Sequence, residues 1–356
     1  MSHLYESGFS VGEVPWHGLG EVIPEDQKLS IAQGLSAAGM NWDVYTRPAG
    51  YQHAGQMVTP MTTTTDEDNN EIDIPRNKFT MRRMLVEDPN DKGKTIEQEQ
   101  VLGLVGGAYQ VVQNSEMFEF FQPFLDRNEA ELHTAGSLAN GRIVWVLAKL
   151  NRDPMQIVDG DEVNKYLLLS SSHDGSKALR VGFTPIRVVC ANTLAMAHQN
   201  RSSKMLRLKH TKKVITNLEN IRETINTINA DFEATAAQYR LLVRKGISSA
   251  DLDKYIKLCF TTEKEIQAGL STKKQTIIDA VKGRFESQAN SLPGVRGTVW
   301  AAYNAVTEHY TWAYGGEGGK KNTPLDKRNN RISSLWLGSN QTKNEQALKV
   351  ALEMAS

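Results

Sequence analysis

The pattern of hydrophobic and polar positions changes character near residue 213. Before that point, short apolar runs alternate with polar or glycine-containing turns, which is typical of β-strands. After it, apolar residues recur every three or four positions, which is typical of helices. The pattern therefore predicts a sheet-rich part followed by a helical part, with the clearest strands over residues 101–105, 109–113, 142–150, 165–171 and 178–190.

Two segments carry the strongest helical signals. Asn114 and Ser115 are favourable N-cap residues for a helix over 116–128. Apolar residues at alternating four- and three-residue steps predict one long amphipathic helix over 211–245. We expect it to pack on the protein's own sheet, with an intermolecular coiled coil as the alternative. The residues of its apolar seam are Val214, Leu218, Ile221, Ile225, Ile228, Phe232, Tyr239 and Leu242.

These elements together predict an α+β fold. Its expected core is an antiparallel β-sheet with helices in a β-β-β-α-like order, followed by the long helix and a helical C-terminal region. The chain has 356 residues, which is longer than one typical core requires. We therefore expect an α+β core domain over residues 1–210 and a helical region over residues 211–356.

Charge is unevenly distributed although the net charge is zero. Residues 1–100 carry 8 Lys/Arg and 16 Asp/Glu, whereas residues 201–356 carry 25 and 15. Such asymmetry is typical of a polyanion-binding face or of head-to-tail contacts between subunits, and it also occurs in proteins without either property.

The densest basic segment spans residues 201–213. It holds six cations in thirteen residues and no acid. Neutralising phosphates requires this density of positive charge, although a solvated loop has the same composition. The candidate nucleic-acid-binding residues are Arg201, Lys204, Arg207, Lys209, Lys212 and Lys213, with Arg187 on the last predicted strand as a weaker candidate.

Several classes of protein find no support in the residues. No apolar run is long enough to span a membrane, and the N-terminus lacks the basic and apolar regions of a signal peptide. Two cysteines give neither a disulfide framework nor a zinc site, so we expect a reducing cytoplasm. No Walker A motif or dinucleotide fingerprint is present, and we expect no cofactor and no metal.

Candidate catalytic residues are few. Cys190 precedes a predicted helix, and His173 with Asp174 would supply a base and its orienting group for a thiolate enzyme. The alternative is a buried structural cysteine, since Cys190 ends an apolar strand. Asp159, Asp161, Glu162 and Asp174 have oxygens that bind divalent cations, but turns rich in Asp and Gly have the same composition.

Four stretches of the chain resemble a known family. They are residues 14–20, residues 105–114, residues 172–176 together with 183–194, and residues 297–308. As a set they resemble the phage- and plasmid-borne family known as domain of unknown function 932. The resemblance implies a role in the DNA metabolism of mobile elements, in the cytoplasm of a bacterial host. It supplies no catalytic residue.

The leading functional hypothesis is binding or annealing of single-stranded DNA during recombination. The predicted β-β-β-α order resembles that of phage single-strand annealing proteins, which build rings with a basic groove. We therefore expect single-stranded DNA and further copies of this chain as partners. Two alternatives remain open, namely a host-takeover or anti-defence protein that binds another protein, and a Cys/His-dependent enzyme.

Overall fold

The computed structural model describes residues 5–12, 20–66, 69–88, 91–151, 153–187, 192–193, 206–224, 229–312 and 339–356. The chain divides into two compact units, each discontinuous in sequence. Unit 1 comprises Met1–Ala148, Leu168–Val181 and Leu206–Ile225. Unit 2 comprises Lys149–Leu167, Gly182–Met205 and Asn226–Ser356.

Strands dominate the described residues as far as 208. Those up to residue 106 are β1 (Tyr5–Val11), β2 (Glu21–Ile23), β3 (Val44–Pro48), β4 (Tyr51–His53), β5 (Gln56–Val58), β6 (Met61–Thr65), β7 (Glu71–Pro75), β8 (Asn77–Asp88) and β9 (Asp91–Gly106). Those beyond it are β10 (Ala130–Leu138), β11 (Ile143–Leu150), β12 (Met155–Val158), β13 (Asp161–Ser172), β14 (Leu179–Arg187), β15 (Asn192–Thr193) and β16 (Leu206–Leu208).

Helices dominate the remainder. The sheet-rich part contains α1 (Ile31–Ala37), α2 (Asn114–Glu119) and α3 (Gln122–Asp126). The part after residue 213 contains α4 (Val214–Thr224), α5 (Asn229–Arg244), α6 (Ser249–Phe260), α7 (Glu263–Gln267), α8 (Thr272–Phe285), α9 (Val299–Trp312) and α10 (Ser339–Ala355). Within the described ranges, no helix combines the length and apolar character needed to cross a membrane.

Among the described residues, the largest sheet has nine strands. Seven follow the order β15-β14-β13-β11-β10-β1-β2, with β12 paired to β13 and β16 paired to β14. β1 is antiparallel to β10 and parallel to β2. A separate three-stranded sheet has the order β3-β8-β9, and two small hairpins, β4-β5 and β6-β7, complete the strands. The predicted α+β fold, with antiparallel sheets and a helical C-terminal region, is confirmed.

Unit 1 contains a buried cation as well as an apolar core. The Arg82 guanidinium is 2% exposed and pairs with the Glu6 carboxylate. Its Nε donates to Gln100 Oε1 at 2.8 Å, and its face lies 4.6 Å from the centre of the Trp42 ring. A buried charge requires this degree of pairing, because its desolvation is otherwise costly. The pair joins β8 to β1 across the unit.

Unit 2 is centred on aromatic residues of α5, α6 and α9. Tyr239, Trp300 and Tyr303 are fully buried and in mutual contact. The Trp300 indole Nε1 donates to Asp161 Oδ2 at 2.7 Å, which satisfies a buried carboxylate at the start of β13. Tyr255 donates its hydroxyl proton to the Ala347 carbonyl, so α6 is bonded to α10. This network fixes the helices against one another.

One strand expected from the sequence is absent. Residues 109–113 alternate like a strand but have irregular backbone. Their polar groups are satisfied elsewhere: Gln113 bonds both the N–H and the carbonyl of Val44, and Gln110 N donates to the His210 carbonyl. The helix that follows begins at Asn114 and is capped by Gln113 and Glu116, so the N-cap is neither Asn114 nor Ser115. The single helix predicted over 116–128 is two short helices, α2 and α3. The prediction of a strand over 109–113 was therefore wrong.

Two further expectations, the long helix over 211–245 and the domain boundary, remain predictions. Helical backbone is present over 214–224 and 229–244, and residues 225–228 lie outside the described residues. Continuity of the helix over 211–245 therefore remains a prediction. The boundary between 210 and 211 also remains one, because it concerns independent folding, which compactness alone does not measure.

Candidate polyanion-binding surface

Residues 206–208 of the basic segment form β16, a strand of unit 1. β16 pairs antiparallel with β14, which places Arg180 directly opposite Arg207. Residues directly opposite in an antiparallel pair share a face of the sheet. The neighbouring positions on β14, Leu179 and Val181, are buried and belong to the other face. The two arginines therefore lie on the face opposite the apolar core.

The turn after β16 adds further cations. Lys209, Lys212 and Lys213 are exposed, whereas Val214, which begins α4, is fully buried. The turn is held by hydrogen bonds from Thr211 N to the Lys209 carbonyl and from Val214 N to the Thr211 carbonyl. The lysines are thus carried by ordered backbone. We name the basic surface as the set Lys177, Arg180, Arg207, Lys209, Lys212 and Lys213.

Positive charges act on one another within the basic surface. Burial lowers the pKa of the Arg180 guanidinium, and the charge of Arg207 lowers it further. Burial also lowers the pKa of Lys177, and the charge of Arg180 adds to that effect, whereas Asp174 opposes it. Like charges directly opposite across a strand pair are destabilising. An anion bound between them would remove this repulsion.

Four members of the basic surface have no acidic partner among the described residues. In the part of the chain that the structure describes, no carboxylate lies within 4.0 Å of the charged groups of Arg207, Lys209, Lys212 or Lys213. Exposed lysines elsewhere do have one, as Lys349 has Glu353 at 3.9 Å. The charges of these four residues are therefore available to a bound anion.

Three of the predicted residues have no described side chain. Arg201 and Lys204 lie outside the described residues. The backbone of Arg187 is on β14, paired with Asn192, and its side chain is not described. Arg207, Lys209, Lys212 and Lys213 are exposed on β16 and the turn that follows it, and their role in binding nucleic acid remains a prediction.

Sequence reasoning missed Lys177 and Arg180. Both are near a turn, and neither belongs to a basic run. They join the basic surface because β14 and β16 pair in one register, with Arg180 opposite Arg207. That register depends on residues far apart in sequence. No local signal could have placed Arg180 beside Arg207.

The candidate catalytic residues have structural partners. His173 is fully buried, and its Nε2 lies 3.0 Å from Asn114 Oδ1. Burial lowers the pKa of His173 to about 3, so the ring is neutral and a weak base. Asp174 accepts from Ser176 N at 2.9 Å, as in a turn. Cys190 lies outside the described residues, so its proposed role with His173 stays a prediction.

His210 supports the turn that carries the lysines. Its Nδ1 lies 3.0 Å from the Gln110 carbonyl, its Nε2 lies 3.2 Å from Ser171 Oγ, and its ring stacks on Tyr109 at 4.6 Å. A carbonyl accepts only, so Nδ1 carries the proton and Nε2 accepts from the Ser171 hydroxyl. Ser171 is 1% exposed. This serine–histidine pair is enclosed and serves packing.

Three of the four acidic residues suggested for a divalent cation form hydrogen bonds within the protein. Asp161 bonds to Trp300, Glu162 accepts from the Gln156 amide, and Asp174 accepts from Ser176. In the residues with described positions, no group of three or more His, Cys, Asp or Glu side chains is placed to hold a metal ion. Cys259 is half-buried, and burial raises the pKa of its thiol to about 12, so the thiol is a poor nucleophile.

These features define a class: an α+β protein with antiparallel sheets, a helical C-terminal region and a basic strand pair. The model of the family described as Domain of unknown function (DUF932) matches residues 101–336, which is well over half of the chain. The chain therefore belongs to that family. No curated protein matches the chain, and no solved structure matches it.

Proposed function

We propose that this protein binds single-stranded DNA through the basic surface and acts in annealing or recombination. The observation that carries the proposal is the direct cross-strand pair Arg180 and Arg207. Two guanidinium groups on one face of a ladder repel each other in the free protein. Phosphates, with charge-assisted and frequently bidentate hydrogen bonds to arginine, offset that repulsion.

The arrangement fits a polyanion better than a single small anion. The basic surface extends from the strand pair into the turn before α4, and its exposed lysines provide charge without directional selectivity. Contacts of this kind give affinity for a phosphate backbone and no base specificity. Sequence-independent binding is what strand annealing requires.

The choice of single-stranded DNA rests on two supporting arguments. The order of strands followed by a long helical segment is similar to that of phage single-strand annealing proteins, and this is an argument from fold alone. The resemblance to phage- and plasmid-borne proteins adds a setting in mobile-element DNA metabolism. In that role the protein would act in the cytoplasm of a bacterial host, as an assembly of several copies of this chain.

The test is fluorescence anisotropy of a labelled oligonucleotide, single- and double-stranded, over a series of salt concentrations. We expect single strands to bind more tightly, with the affinity falling steeply as salt rises. Replacing Arg207→Gln and Lys209→Gln together should reduce the slope of log K against log salt by about 1.4, since each lost phosphate contact contributes about 0.7 for single strands.

The matched control replaces Lys254→Gln and Lys273→Gln, which are exposed lysines on α6 and α8. This double variant removes the same net charge and should leave the slope unchanged. Mass photometry of the same samples should show multi-subunit species if annealing requires assembly. Flat anisotropy at low salt, or equal losses in both double variants, would remove the proposed DNA-binding surface.

A further inference from the structure

Unit 2 contains an open groove of about 890 Å³. This volume lies within the usual range for a small-molecule site. Its walls come from the end of β11 and the following loop, from β12 and β13, and from α5. The lining is mostly polar. The residues that the argument uses are Lys149, Asp153, Asn164, Lys165, Glu233 and Arg240.

Lys165 is the unusual member of this lining. Its side chain is 9% exposed and lines the groove. The nearest carboxylate is Glu233, whose Oε1 lies 3.8 Å from Lys165 Nζ and so beyond hydrogen-bond distance. Beneath it, the Phe232 ring centre lies 5.6 Å from Nζ. An ammonium carries three donors, and the described residues offer Lys165 no hydrogen-bond acceptor.

The contacts that hold this charge within the described residues are therefore weak. A cation over an aromatic face is stabilised modestly, and a carboxylate that is itself 64% exposed interacts weakly across solvent. Buried charges are normally both paired and hydrogen-bonded. An anionic group in the groove would supply the acceptors that Lys165 lacks.

The surrounding residues indicate what kind of anion fits. Lys149 and Arg240 add positive charge to the same groove, and Asn164 adds an amide. Arg240 is anchored in place, since its Nε and Nη2 donate to the Gln156 carbonyl at 2.9 and 2.7 Å. Phosphate presents more acceptor oxygens than a carboxylate and suits several donors converging from different elements. Two acids, Asp153 and Glu233, lie at the exposed side of the lining.

We infer that this groove binds a phosphate group of a small molecule, with Lys165 as the central ligand. The inference is independent of the DNA-binding proposal, because the basic surface and the groove share no residue. Glu233 competes with the anion for Lys165 and so limits the affinity.

The experiment is isothermal titration calorimetry of the full chain with inorganic phosphate, ribose 5-phosphate and ribose. We expect both phosphates to bind and ribose not to bind. Tighter binding of ribose 5-phosphate than of inorganic phosphate would identify a phosphate ester as the ligand, and equal binding would identify the free anion. Either result supports the site, whereas binding of ribose with the same affinity as ribose 5-phosphate overturns it.

Variants assign the binding to Lys165. Lys165→Met keeps an unbranched side chain over Phe232 and removes the ammonium, so phosphate affinity should fall about tenfold. Lys254→Met, at an exposed position on α6, is the matched control and should leave the affinity unchanged. Arg207→Gln with Lys209→Gln should also have no effect. Loss of binding in that double variant, with Lys165→Met unaffected, would overturn the assignment.

Glu233→Gln provides a test that does not disturb the core. Because Glu233 is exposed on α5, the variant should fold like the parent protein. Removing a negative charge beside Lys165 should raise phosphate affinity roughly threefold, in line with the energy of exposed ion pairs. Unchanged or weaker phosphate binding in this variant would contradict the inference.

Discussion

Gly103 lies where β9 passes the turn that follows β13. A Cβ built on Gly103 would lie 2.5 Å from Asp174 Cα and 2.7 Å from Asp174 Cβ. Contacts this short require the backbone to move, because neither atom is the end of a flexible side chain. A glycine is therefore required at position 103 because two segments of unit 1 approach closely there, and not because of its backbone angles.

Gly103→Ala should destabilise the protein by about 1–3 kcal/mol, the usual cost of overpacking a closely packed site. The matched control is Gly106→Ala at the end of the same strand, where an added Cβ meets nothing within 4 Å. The control should be neutral or slightly stabilising, since alanine has less conformational entropy in the unfolded chain. Urea denaturation of both variants measures the free energy of unfolding, and equal effects at the two positions would contradict the close-approach explanation.

At the scale of elements, Gln113 attaches α2 to β3. Its side chain accepts from Val44 N at 2.8 Å and donates to the Val44 carbonyl at 2.7 Å. These two bonds pair the side chain with β3 in the way that a neighbouring strand would pair. Its own backbone N–H donates to Glu116 Oε2 at 2.6 Å, which completes a capping box. One residue therefore both begins the helix and fixes it to the sheet.

Gln113→Ala should lower the free energy of unfolding by about 1–3 kcal/mol, because backbone groups of Val44 lose their partners. Gln122→Ala on α3 is the matched control. Gln122 bonds only the side chain of Asp126 at the surface, so its loss should change stability by less than about 0.5 kcal/mol. Thermal or urea denaturation distinguishes the two. A cost at Gln122 as large as that at Gln113 would show that the bonds to β3 contribute little.

Three buried histidines contribute to the pH dependence of stability at the scale of the whole molecule. Burial lowers the pKa of His173 to about 3 and that of His309 to about 4, and it also lowers the pKa of His210. An unfolded histidine has a pKa near 6.5. Between pH 6.5 and these lowered values, the unfolded chain therefore binds more protons than the folded one, and stability is lost as pH falls through that window.

Stability should therefore decline below pH 6.5 and change little from histidine titration above about pH 7.5. Each histidine contributes a slope of up to about 1.4 kcal/mol per pH unit. His173→Gln keeps an amide near Asn114 and should reduce the slope measured between pH 5 and 6 by about 1 kcal/mol per pH unit. Urea denaturation across this range gives the slope. An unchanged slope in the variant would show that folding does not suppress protonation of His173.

Local sequence determined much of the secondary structure. The period of apolar residues correctly predicted a helical part after residue 213, because the helical repeat spans only a few neighbouring residues. The strand β11 was predicted for the same reason. By contrast, β10 was missed, since its segment Ala-Glu-Leu-His-Thr-Ala-Gly-Ser-Leu has few β-branched residues and becomes a strand by pairing with the distant β1.

The features of the candidate sites also divide into those that local sequence determines and those that only tertiary contacts determine. Sequence alone determined the density of cations between 207 and 213, the family to which the chain belongs and the α+β class. Only the tertiary structure paired Arg180 with Arg207, buried His173 against Asn114 and placed Lys165 in a groove beside Glu233. The physical reason is that helical periodicity and charge density are local properties, whereas strand register and burial depend on contacts between residues far apart in the chain.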